Sequence, residues 1–205
     1  NVIFVAIEFY TSIRANSTAL KADAGHNLID IIGLVLALTS VRLALFPRTY
    51  TRTYGYKKAT ILASVVSSVL LLFAMVELLL ESIEKLLNPA ISSVSSHTMM
   101  IVAGFGIVIN GFSAWVLNAG KKDLNMRAAY LHMLTDALVS AGVVLSGAVI
   151  YFFHLNWLDA VVAIIILAVI GKSTWELLVQ SVNLIMDGVP NQIDVQAVEA
   201  YLQTY

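Results

Sequence analysis

Long apolar runs separated by short polar clusters organise this chain. Neither the period of two of a half-buried strand nor the one-sided stripe of a soluble amphipathic helix dominates it. Stretches free of Asp, Glu, Lys and Arg run from Ala59 to Val76, from Leu86 to Gly120 and from Ala137 to Leu158, and about 20 apolar residues suffice to cross a bilayer as a helix. The pattern predicts an all-α membrane protein, a six-transmembrane-helix bundle. Its spans run from Asn1 to about Ile13, Leu20 to Phe46, Tyr56 to Leu80 or beyond, Thr98 to Asn118, Ala128 to Phe153, and Leu158 to Val179. Turn residues fall between them: Pro47 after span two, Asn88-Pro89 after span three, and Asn118-Ala119-Gly120 at the end of span four.

Both ends of the chain suggest further sequence. Span one is short and starts at Asn within apolar residues, so part of it is expected to lie upstream. At Pro190-Asn191-Gln192-Ile193-Asp194 the composition turns polar. Residues 1–188 then form the transmembrane domain, and residues 189–205 begin a cytosolic C-terminal domain that is largely missing from the chain.

Composition sharpens the membrane reading. Hydrophobic residues make up 59% and charged residues 12% of the chain, against about 25% charged in soluble domains. Seven of the twelve Lys and Arg cluster on one side: Arg48, Arg52, Lys57 and Lys58 after span two, and Lys121, Lys122 and Arg127 after span four. The positive-inside rule makes that side cytosolic, and six spans put both termini there. The opposite loops hold Arg14, Lys21 and Lys85. A net charge of -1 and the lack of a basic, aromatic-interleaved groove argue against nucleic acid. With no cysteine there is neither a disulfide framework nor a thiolate site.

The candidate chemistry is a repeated spacing. His26-Asn27-Leu28-Ile29-Asp30 and His132-Met133-Leu134-Thr135-Asp136 are both H-x-x-x-D, and each lies in an apolar span. On a helix, residues i and i+4 share a face, so each span presents an imidazole beside a carboxylate. Ionisable groups at such depth usually mark an ion or proton pathway. With span two starting near Ser17, His26 and Asp30 lie roughly 13 and 19 Å along it, at about 1.5 Å per residue. Span five runs the other way and puts His132 and Asp136 roughly 10 and 16 Å into a core about 30 Å thick. Antiparallel packing sets His26 level with Asp136 and Asp30 level with His132. Gly33, Ala37 and Ser40 fall on the His26 face, while Val143 and Gly147 follow His132 and Asp136. The two faces are therefore also expected to be close-packing faces.

Two imidazoles and two carboxylates suit zinc, which accepts four N and O ligands in a tetrahedron while the carboxylates cancel its charge. The bland alternative is a pair of structural His-Asp hydrogen bonds. Matched pairs at matched depth on two spans favour the metal site.

Four stretches together resemble the cation diffusion facilitators: Ala22-Asp23-Ala24-Gly25-His26-Asn27-Leu28-Ile29-Asp30, Tyr54-Gly55-Tyr56-Lys57-Lys58, Arg127-Ala128-Ala129-Tyr130-Leu131-His132 through Asp136, and Ser181-Val182-Asn183-Leu184-Ile185-Met186-Asp187-Gly188-Val189-Pro190. The resemblance implies a six-span, usually dimeric transporter in the plasma (inner) membrane or an intracellular vesicle membrane. It implies exchange of a divalent metal for protons by alternating access, with Cd2+, Co2+ and Ni2+ as candidate cargoes beside zinc, and a ferredoxin-like cytosolic domain after the last span. The family's metal ligands map onto His26, Asp30, His132 and Asp136, the set that goes with zinc preference. Some relatives have a second site between spans two and three, yet Phe46 to Lys58 holds neither Asp nor His; others have a His-rich loop between spans four and five, but Asn118 to Met126 holds no His.

Other polar residues carry weaker expectations. Asp23 either guides cations from the outer side or simply complements a helix dipole. Glu8 and Glu77 are candidates to face an aqueous cavity, whereas Glu81 and Glu84 read as a solvated helix end. Asp159 reads as a helix-start residue, and His97 and His154 as solvated loop histidines. Tyr54, Tyr56, Lys57 and Lys58 form either an interfacial belt or a gate. Two rival functions remain: an intramembrane zinc-dependent enzyme and a passive cation channel. The enzyme would need an open metal position and a base, and the channel a series of weak sites.

Overall fold

A computed structural model describes residues 2–47, 49–51, 53, 55–88, 93–118, 124–189, 193 and 195–203. Expectations resting on Asn1, Arg48, Arg52, Tyr54, Pro89, Ala119, Gly120, Lys121, Lys122, Pro190, Asn191, Gln192 and Asp194 lie outside the described residues. Those residues form seven helices: α1 (Val2–Ala15), α2 (Thr18–Ala44), α3 (Ala59–Leu87), α4 (Ser96–Asn118), α5 (Leu124–Phe153), α6 (Trp157–Ile185) and α7 (Val195–Leu202). Five of them, α2 to α6, are long and apolar enough to cross a membrane. At 14 residues α1 falls short of that length, and α7 has eight.

The helices begin and end for local reasons. Asn16 takes a left-handed φ of 52°, which its short polar side chain tolerates, and turns the chain from α1 into α2. Ser17 then caps α2 by accepting the backbone N–H of Leu20 at 3.1 Å. His154, at φ 57°, ends α5 with its N–H on the Ile150 carbonyl. The sixth helix reaches Ile185, six residues beyond the expected Val179, and closes through Asp187 at φ 56° and the Gly188 N–H on the Asn183 carbonyl.

Packing differs from the expected pairing. α5 lies chiefly on α4, and α3 lies on α6 and α2, whereas α2 and α5 meet only over a short stretch. A Cβ on Gly33 would stand 2.8 Å from Ser67 Oγ of α3, and one on Gly147 would stand 2.7 Å from Met100 Cγ of α4. The small residues thus let each motif helix approach a flanking helix. They do not let α2 and α5 approach each other.

The buried core sits toward one end of the bundle. Leu20, Met99, Val143, Ala160 and Ala163 are fully or almost fully enclosed, and all lie near the end that joins α1 to α2 and α5 to α6. Around them several polar groups are satisfied in ways that sequence position does not reveal. Asp159, read as a start for α6, also caps α2: its carboxylate accepts Ser17 Oγ (2.5 Å), Thr18 N (2.6 Å), Thr18 Oγ1 (2.9 Å) and Ala19 N (3.3 Å). Lys21 and Lys85 belong to helices, and both pair with Glu81, at 2.5 and 3.1 Å. Lys85 is buried and also donates to the Asn16 carbonyl at 2.7 Å. Glu81 is therefore an ion-pair centre, not part of a solvated end.

Candidate metal centre

Both H-x-x-x-D pairs fall inside unbroken helix, so the i,i+4 register holds each pair together. His26 Nε2 lies 3.4 Å from Asp30 Oδ2, and His132 Nε2 lies 3.7 Å from Asp136 Oδ2. Across the helices, His26 Nε2 is 3.7 Å from Asp136 Oδ1, and His132 Nε2 is 3.1 Å from Asp30 Oδ2. These are the level pairings that antiparallel helices give. The rings meet edge to face with centroids 5.9 Å apart.

Donor spacing can be compared with a metal polyhedron. Ligands about 2.0–2.1 Å from a tetrahedral zinc stand about 3.3–3.4 Å from one another. The four N···O separations, 3.1 to 3.7 Å, bracket that edge, and ligand atoms of His26, Asp30 and His132 all lie within 4.8 Å of each other. The donors are two neutral-capable imidazoles and two carboxylates, a set that matches zinc in charge as well as number.

The four residues straddle a boundary. Side-chain exposure is 3% for Asp136 and 15% for His26, but 32% for Asp30 and 45% for His132. Beyond Asp30 and His132 opens a cavity of about 610 Å³, lined among others by Gly33, Ala37, Ser64, Ser67 and Asn110. It lies toward the end that carries the α2–α3 connection. In the opposite direction the helices close over the core described above.

Several polar residues near the centre were not singled out by spacing, or were read differently. Neither Glu8 nor Glu77 lines the cavity: Glu8 is fully buried and accepts Asn27 Nδ2 at 3.2 Å, and Glu77 is on the exposed surface of α3. Asp23 is also fully buried and accepts Ser140 Oγ at 2.7 Å, so its place at the start of α2 is not a solvated helix end. Asn110 lines the cavity with its Nδ2 unpartnered, and only its isolation in an apolar span could have flagged it. His97 falls in the first turn of α4 rather than in a loop, exposed as expected; His154 follows α5 and is exposed too. At the α2–α3 end, Lys58 pairs with Asp187 at 2.8 Å.

Comparison with known proteins bears on this geometry. Residues 1–186 match the family described as the cation efflux transmembrane domain. The chain is 35% identical over 195 residues to the cadmium, cobalt and zinc/H(+)-K(+) antiporter of Bacillus subtilis (strain 168), covering 94% of the chain and 62% of that protein. It is 34% identical over 197 residues to the metal cation efflux system protein CzcD of Cupriavidus metallidurans, covering 96% and 62%. It is also 34% identical over 194 residues to the zinc transporter ZitB of Escherichia coli (strain K12), covering 94% and 61%. The chain thus spans about three fifths of the length of the curated relatives it matches, and it belongs to the cation efflux family. Its five long apolar helices make it an integral, multi-pass membrane protein.

Proposed function

We propose that this protein moves divalent metal, principally zinc, out of the cytosol in exchange for protons, with His26, Asp30, His132 and Asp136 as the ligands of one tetrahedral intramembrane site. The observation that carries this reading is the convergence of two imidazoles and two carboxylates, 3.1 to 3.7 Å apart, at the blind end of a solvent-sized cavity. The relatives' names, which include zinc, cadmium and cobalt as cargo and H(+)-K(+) as counter-ions, support this reading.

The mechanism follows from donors and access. With α1 counted as the first of six spans, the basic α2–α3 end lies in the cytosol. The cavity is then the loading route, and the arrangement described is inward-facing. Zinc sheds water for four ligands whose two negative charges cancel its own, which makes the ion tolerable in a low-dielectric bundle. Zinc binding needs neutral imidazole and ionised carboxylate, so protons compete with it for the same atoms. Affinity falls as pH falls, by up to about tenfold per pH unit for each proton exchanged, with histidine's ordinary pKa of about 6.5 closest to working pH. An acidic far side favours release and a more alkaline cytosol favours loading. Outward opening comes from rocking of the helices about the short α2–α5 contact. A homodimer in the plasma (inner) membrane is the assembly this reading takes.

The test is zinc flux into proteoliposomes with and without a pH difference. Saturable uphill zinc movement that slows when the difference is collapsed, with protons moving the other way, is the expected outcome. Persistence of uphill flux with no counter-moving protons would overturn antiport.

A further inference from the structure

About one helical turn beyond the four-residue site, toward the closed end, the bundle holds a second polar cluster. Glu8 of α1 and Asp23 of α2 are both 0% exposed. Each has one satisfied oxygen: Asn27 Nδ2 donates to Glu8 Oε2 at 3.2 Å, and Ser140 Oγ donates to Asp23 Oδ2 at 2.7 Å. Their remaining oxygens, Glu8 Oε1 and Asp23 Oδ1, are buried without any hydrogen-bond partner. Among the described residues the ion pairs made by lysine go to Glu81 and Asp187, and neither Glu8 nor Asp23 is paired with a lysine.

The cluster is contiguous with the metal centre. Asn27, which donates to Glu8, is the neighbour of His26 in α2, and Ser140, which donates to Asp23, lies one turn after Asp136 in α5. Asp23 precedes His26 by three positions and Ser140 follows Asp136 by four, which sets the cluster about 5 Å further along the helices at about 1.5 Å per residue. Two enclosed carboxylates with an orphaned oxygen each are costly in a low dielectric unless they take up protons or a cation joins them. Carboxylates kept inside a helix bundle mark the path of an ion or of protons.

We propose that Glu8 and Asp23, with the Asn27 amide and the Ser140 hydroxyl, form a second station for the transported divalent metal, entered from the His26–Asp136 side of the first. This rests on the reading that the first site carries metal. The station offers oxygen donors only, and without imidazole it holds zinc more weakly than the first site. Weaker binding is what onward release requires. The ion therefore passes from the two-imidazole site to the carboxylate pair when the closed half opens, and Glu8 supplies the ligand from α1.

The test uses purified full-length protein and zinc alone, measured by equilibrium binding and by flux. With the first site intact, Glu8→Gln keeps zinc affinity within about twofold but slows flux at least tenfold; Asp23→Asn does the same through a different helix. In the double variant Asp30→Ala/His132→Ala, weak residual zinc binding persists and is lost when Glu8→Gln is added. Unchanged flux in both Glu8→Gln and Asp23→Asn, or residual binding indifferent to Glu8→Gln, overturns the station. Undiminished zinc binding in Asp30→Ala/His132→Ala overturns the first-site reading instead, so the two failures are separate. Glu8→Gln is near-isosteric and keeps the acceptor for Asn27, and a matching thermal transition confirms that slowed flux is not misfolding.

Discussion

The two ends of this bundle are built differently, and the candidate centre lies where they meet. Toward the α1–α2 end, Leu20, Met99, Val143 and Ala163 pack without exposure, Asp159 ties α6 to the start of α2, and Glu81 bridges Lys21 and Lys85. Toward the α2–α3 end the same helices diverge around a cavity that reaches Asp30 and His132. The closed half is tied by the Asp159 and Glu81 networks, whereas the open half leaves Asn110, Asp30 and His132 lining a cavity. Helices α2 and α5 therefore need not pack along their length to share a site. Each is braced by a different flanking helix, and the two meet over a short stretch that includes the donors and the Asp23–Ser140 hydrogen bond.

Breaking the boundary itself should have the largest effect. Removing one carboxylate leaves zinc with three ligands and uncancelled charge, so Asp30→Ala and Asp136→Ala should each lower zinc flux by at least about 100-fold while circular dichroism stays unchanged. Wild-type flux in either would remove the site from the boundary. The closed half is tested next by Asp159→Ala, which strands four donors at the start of α2. A loss of about 2–4 kcal/mol in unfolding free energy is expected from a lost cap and broken charge-assisted hydrogen bonds. An unchanged denaturation midpoint would mean that this contact does not hold the closed half.

Access can be compared directly because the chain has no native cysteine. Ser67→Cys, in the cavity wall, should react with a water-soluble thiol reagent at least about tenfold faster than Ala163→Cys in the enclosed core, since reaction follows access. Equal rates would erase the distinction between the halves. The smallest effect expected is on selectivity. In His26→Asp a harder, more adaptable ligand replaces imidazole, and the cadmium-to-zinc flux ratio should rise by about three- to tenfold. A constant ratio would assign selectivity to something other than these donors.

Much of the architecture could be read from the chain because the bilayer imposes a length. Charge-free runs between Lys58 and Glu77, or Asp136 and Asp159, leave little alternative to long helices. The His26–Asp136 and Asp30–His132 pairings followed from depth and direction alone. Which helix packs on which did not. In lipid an outward-facing Leu34, Phe73 or Trp115 is as apolar as an enclosed Met99, so the pattern that separates core from surface in water carries little information here. Gly33 and Gly147 were read as contacts between the motif helices, yet their open sides meet Ser67 and Met100. The roles of Asp159, Glu81 and Lys85 depend on neighbours 60 to 140 residues away, and nothing in their local sequence distinguishes a buried partner from a solvated helix end.

X-ray absorption at the zinc edge tests most directly whether His26, Asp30, His132 and Asp136 bind the transported metal. Purified protein carrying one equivalent of zinc should show four light ligands at about 2.0–2.2 Å, with multiple scattering from two imidazoles, and His132→Ala should remove one imidazole contribution. A first shell of oxygen alone, or an imidazole signal that survives substitution of both His26 and His132, would contradict the account.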